Sequence, residues 1–137
     1  MKIREVMTPN PVTLDSDAPV MKAAEAMREN DIGGVVVRRD GKLCGIVTDR
    51  DIVVRVLAAG KDPKSTRLDA VCSHDMLTLS PDQDTSDAIR LMRERAIRRL
   101  PVVEGNHLLG IVSLGDLAVV LDPHSTLSDI SAASPGH

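Results

Sequence analysis

The stretch Gly45 to Asp51 reads GIVTDRD: a glycine, an apolar pair, a hydroxyl and then charges. Gly110 to Asp116 reads GIVSLGD, with the same glycine, apolar pair, hydroxyl and final aspartate. Sliding the chain by 65 positions aligns residues 3–54 with 68–119 without a gap, and 16 of the 52 pairs are identical. Ordinary composition would give about three or four matches by chance. The period is longer than most solenoid units and occurs only twice, so it predicts two related halves rather than an extended array.

Each copy carries the same succession of local signals. Short strands are predicted at 11–14 (PVTL) and 76–79 (MLTL), each followed by an aspartate at a turn, Asp17 or Asp82. Pro19 is tolerated in a first helical turn, where its missing N–H has no partner. Ala23, Ala24 and Met27 recur at helical spacing, as do Ala88, Ile89 and Met92. The strands GVVVR and LPVVE come next, then Asp40-Gly41 or Gly105-Asn106, residues that accept the positive φ of tight hairpins. Returning strands LCGIV and LLGIV lead to helices starting near Asp49 and Leu114, and Gly60 suits the end of the first of these.

The predicted fold class is therefore α/β of the α+β kind, two β-α-β-β-α repeats. One repeat alone is too small to hide an apolar sheet face. Packing sheet to sheet would hide both, at roughly 25 cal/mol per Å² buried. The expected division is repeat one at 1–60, a linker at 61–66, repeat two at 67–122, and a mobile polar tail at 123–137.

Composition removes several classes of function. The 137 residues are 42% hydrophobic and 27% charged, with a net charge of -3, as in an ordinary globular domain. With no Phe, Tyr or Trp there is no stacking platform for single-stranded nucleic acid. No run of 18 apolar residues predicts a membrane span, and MKIREVMTP lacks a signal-peptide apolar region, so a cytoplasmic protein is expected. Cys44 and Cys72 fit a reducing compartment and no disulfide framework. There is no P-loop, serine triad signature or Cys/His pair, so catalysis is not expected. The histidines (His74, His107, His124 and His137) lack zinc-site spacing, so no metal is expected either.

Thr48-x-x-Asp51 and Ser113-x-x-Asp116 support two readings. As structure, the hydroxyl caps a free N–H and the carboxylate sits at the third helical position, near the positive helix end. As a site, a carboxylate accepts bonds from vicinal ribose hydroxyls, and free helix-start N–H groups meet sugar or phosphate oxygens.

The paired pattern, with GIVTDRD, GIVSLGD, VMTPNPVTL and IRRLPVV, resembles the cystathionine-β-synthase (CBS) domain family over about residues 1–121. It looks like a stand-alone Bateman module. The resemblance implies two clefts about a pseudo-two-fold axis, an adenosine ligand such as AMP, ADP, ATP or S-adenosylmethionine, ribose held by the motif aspartate, a homodimer, and a regulated partner acting in trans; the paired arginines Arg98 and Arg99 favour AMP, ADP or ATP. By family position it marks Thr13, Thr48, Asp51, Thr78, Ser113 and Asp116 as ligand contacts. Ile32, Ile97, Val12 and Leu77 would be the adenine walls. Where the first repeat has Gly33-Gly34, the second has Arg98-Arg99, guanidinium donors suited to phosphate. By analogy Arg98 and Arg99 join the Asp51 cleft, which is then expected to bind the phosphorylated ligand more tightly than the Asp116 cleft. The competing expectation is a stress-response interaction or dimerisation module with no physiological nucleotide.

Overall fold

The computed structural model describes residues 1–72, 76–121 and 126–133. In chain order the elements are α1 (Ile3–Val6), β1 (Thr8–Pro9), β2 (Thr13–Asp15), α2 (Val20–Asn30), β3 (Gly34–Arg39), β4 (Lys42–Thr48) and α3 (Asp49–Ile52). A π-helical stretch, Val53–Leu57, continues α3, and a short 3-10 turn spans Leu68–Ala70. Then come α4 (Thr85–Arg95), β5 (Arg99–Glu104), β6 (His107–Ser113), α5 (Leu114–Leu121) and α6 (Thr126–Ala132). The class is α+β, with two three-stranded sheets in the orders β2-β3-β4 and β1-β6-β5.

The chain forms two compact units, residues 12–76 and residues 1–11 with 77–137. In the first, β2 runs parallel to β3, and β3 pairs antiparallel with β4 through a two-residue turn at Asp40-Gly41. Both turn residues have positive φ, +51° and +76°, as the expected hairpin requires. One face of α2 buries Val20, Ala23 and Met27 against Val35, Val37 and Val47. Val36 is buried too, so both faces of β3 are shielded from water.

The other unit repeats this plan with Ala88 and Met92 of α4 on Leu100, Val102 and Val112. Ile89, grouped with them by spacing, is 40% exposed; Thr85 completes the buried stripe instead. The strand expected at 76–79 shrinks to a single bridge between Leu79 and Val102. The reason is Pro101. In the first unit Val36 donates its N–H to Val12 O at 3.0 Å, and Pro101, at the aligned position, has no N–H to donate.

Two features depart from the boundaries read in the sequence. Ile3 and Val6 belong to the core containing α4 and β5, whereas their repeat equivalents, Leu68 and Val71, belong to the core containing α2 and β3. Each lead-in segment caps a helix of the unit it joins. Val20 and Met21 at the start of α2 donate to Thr66 O and Pro63 O, and Thr85 at the start of α4 donates to Met1 O. These bonds satisfy N–H groups that have no partner within the helix. Second, the segment expected as a mobile tail contains α6, which lies against the start of α5. Gly115 makes room for it: a Cβ there would stand 3.1 Å from Ser131 Oγ. The aligned residue in the first half is Arg50.

Candidate functional site

Both repeated motifs sit where a strand ends and a helix begins. At the end of β4, Asp51 N donates to Thr48 Oγ1 at 3.1 Å, and Thr48 N donates to Asp51 Oδ2 at 2.8 Å. At the end of β6, Asp116 N donates to Ser113 Oγ at 3.1 Å, and Ser113 N donates to Asp116 Oδ2 at 2.9 Å. Each is a reciprocal capping box with aspartate at the third helical position. The structural reading of the motif is thus correct, and it occupies one carboxylate oxygen in each copy.

The second oxygen distinguishes the copies. Asp51 Oδ1 is 3.8 Å from Arg55 Nε, and Arg55 also donates from Nη1 to Val71 O at 3.1 Å. The residue aligned with Arg55 is Val120, which brings no charge. Both oxygens of Asp116 instead lie 3.5 Å from the Thr8 hydroxyl, on β1 of the same unit. Asp116 therefore keeps a carboxylate oxygen that no cation claims.

Hairpin register fixes the neighbours of each motif. Arg99 is opposite Ser113, and Leu114 N donates to Arg98 O at 2.9 Å. In the other unit Gly34 is opposite Thr48, and Asp49 N donates to Gly33 O at 3.0 Å. Within each half, then, Arg98 and Arg99 stand beside Ser113 and Asp116, and the glycines stand beside Thr48 and Asp51. These are neighbours within one half, whereas the expected grouping was between halves. The grouping of Thr48 and Asp51 with Arg98 and Arg99 joins residues of different units. Among the described residues neither guanidinium has an acidic partner; Arg98 is exposed and Arg99 half-buried.

The remaining expected contacts divide by unit. Thr13, in β2, and Thr78, just before the Leu79 bridge, are both exposed. Ile32 and Ile97 follow α2 and α4, each donating its N–H back to a methionine carbonyl, Met27 or Met92, at 3.1 Å. Both pack partly against their cores, as do Val12 and Leu77. Ile97 and Arg98 also line a groove of about 620 Å³ between α4 and α5. Its walls are Ile89, Met92, Leu114, Leu117 and Leu121, and it contains no carboxylate. It therefore lacks a group to hold ribose.

Among the described residues no group of three or more His, Cys, Asp or Glu side chains could hold a metal ion. His74, His124 and His137 lie outside those residues. No helix among them is long and apolar enough to cross a membrane.

The CBS domain family model matches residues 3–58 and 68–123. CBS domain-containing protein YhcV of Bacillus subtilis is 38% identical over 117 residues, covering 85% of this chain and 83% of that one. Hypoxic response protein 1 of Mycobacterium tuberculosis is 31% identical over 130 residues, covering 94% and 91%. A crystal structure of Hypoxic Response Protein I with two coordinated zinc ions superposes with a TM-score of 0.79 at 30% identity, covering 88% of this chain and 98% of that one. A hexameric CBS-CP12 protein from bloom-forming cyanobacteria superposes with a TM-score of 0.79 at 32% identity, covering 95% and 79%. Tandem CBS modules are commonly regulatory and ligand-binding, and stand-alone ones are not typically enzymes. Motifs, hairpin register and these likenesses lead to one assignment: the chain belongs to the CBS domain family, as a tandem pair of CBS domains.

Proposed function

We propose that this protein is a cytoplasmic regulatory module that binds an adenosine nucleotide (AMP, ADP or ATP) and acts on a partner in trans. One observation carries the reading: Arg98 and Arg99, without acidic partners among the described residues, flank a helix start whose Asp116 keeps one oxygen outside its cap. That oxygen accepts from ribose hydroxyls, and the guanidiniums supply donors for phosphate. The cap and the ligand role use different oxygens, so they coexist. Asp51, whose second oxygen is near Arg55, belongs to the weaker site.

Calorimetric titration with AMP, ADP and ATP tests this. Asp116→Asn keeps a carbonyl oxygen for the cap and removes the charge. Losing a hydrogen bond to a charged group costs about 1.5–3 kcal/mol, a weakening of roughly tenfold to a hundredfold. Asp116→Asn and Arg99→Ala are each expected to show that loss, and Asp51→Asn a smaller one. Unchanged AMP, ADP and ATP affinity in Asp116→Asn would refute the assignment.

A second reading, self-association as a homodimer without a physiological nucleotide, is supported by exposed apolar side chains. Val53, Val54 and Leu57 are 54%, 48% and 58% exposed. The hexameric relative supports assembly as a use of this fold. A nucleotide at 100 times its Kd stabilises the folded state by about 2.7 kcal/mol, a shift of several degrees in Tm. Absence of any shift with AMP, ADP or ATP would favour this second reading.

A further inference from the structure

The chain has two cysteines, and the fold brings them together: Cys44 Sγ and Cys72 Sγ are 3.9 Å apart within one unit. Cys44 is where β4 breaks register. Val37 pairs with Gly45 and Arg38 with Leu43, leaving Cys44 as the extra residue of a bulge. A bulge re-aims its side chain, and here the thiol meets the segment that follows the 3-10 turn. The other half has the same bulge, with Leu109 as its extra residue, and Met7 aligned with Cys72. Cysteine thus replaces both positions in one half and neither in the other.

We propose that Cys44 and Cys72 form a redox-modification site, a dithiol that a low-molecular-weight disulfide such as glutathione disulfide converts reversibly into an intramolecular disulfide. Cys44 is half-buried and Cys72 buried. Burial, then the neighbouring Cys44, pushes the Cys72 thiol up to about 12. Cys44, the more exposed of the two, reacts first. Its thiolate attacks one sulfur of the small disulfide and expels one thiolate. Cys72, deprotonating as it attacks, displaces the second thiolate from the mixed disulfide on Cys44. Two electrons pass from the dithiol to the small disulfide, and the two protons end on the released thiols. The sulfurs must close to roughly 2 Å, and the bulged strand is where the backbone can accommodate that movement. The bond would tie β4, which leads into Thr48 and Asp51, to the chain leaving this unit. It closes a long loop and so restricts the unfolded chain.

The full-length protein is equilibrated with glutathione disulfide and reduced glutathione at a series of ratios, then alkylated and mapped by mass spectrometry. The expected product is a chain with no intermolecular disulfide, a Cys44–Cys72 cross-linked peptide, no free thiol, and a Tm raised by several degrees that reverts with reductant. Cys72→Ser is expected to stop at a mixed disulfide on Cys44. Two separate mixed disulfides, a disulfide between two chains, or thiols that stay reduced at ratios that oxidise the urea-unfolded protein would overturn the proposal. The peptide map of the wild-type protein decides without relying on any variant.

Discussion

Ala96 ends α4 with φ +53°, a left-handed conformation in which a Cβ costs about 1–2 kcal/mol. Asp31 takes the same place after α2, and aspartate tolerates it better. Ala96→Gly is expected to stabilise the protein by about 0.5–1 kcal/mol, read as a higher urea midpoint with an unchanged slope. Charge makes a second residue-scale prediction. Hydrogen bonding from Arg67, with a smaller part from Arg39, lowers Asp69; hydrogen bonding from Arg4 lowers Asp82; and hydrogen bonding from Ser86 and the chain's N-terminal ammonium lowers Asp84. A carboxylate lowered in the folded state stabilises above its unfolded pKa, near 4, and loses that contribution as pH falls through its folded value. Urea midpoints are therefore expected to drop below about pH 4. Asp69→Asn should be less stable than wild type at neutral pH, with the gap narrowing in acid.

At the scale of elements, close approach decides what the strands tolerate. A Cβ on Gly110 would lie 2.6 Å from Thr8 O and 2.9 Å from Met7 Sδ, where β1 pairs with β6. Gly110→Ala is expected to cost about 1–3 kcal/mol, measured by urea unfolding, because backbone rather than a flexible side chain must yield. The glycine of the repeated motif thus has a packing role in the second half, beside the hydroxyl and carboxylate that build the cap. Most of this was legible in sequence. The turn at Asp40-Gly41, the helix starts at Asp49 and Leu114 and the strand pairs around them follow from local propensity and hydrophobic period. The loss of a ladder bond at Pro101 was legible in principle, since proline carries no N–H. Helix α6 was not, because its polar, serine-rich composition gives no strong helical period.

At the scale of the whole molecule, the exposed apolar side chains bear on association. If self-association uses the π-helical stretch, Val54→Glu with Leu57→Glu is expected to shift sedimentation velocity toward a monomer. Nucleotide affinity measured on the same variant shows whether binding and assembly are separable. Both side chains are about half exposed, so the substitutions leave the cores of either unit intact.

The sequence by itself determined the repeat, the order of elements in each copy, the capped helix starts and the family. All of these depend on residues close together along the chain or on identity at a fixed offset. Tertiary structure alone decided that Ile3 and Val6 join one core while Leu68 and Val71 join the other. It also decided that Arg99 is opposite Ser113 and that the two cysteines meet. The physical reason is the duplication itself. Two nearly equivalent copies offer each segment two similar apolar surfaces, and local propensity is the same for both choices. Only the packing and hydrogen bonds of the folded chain separate them.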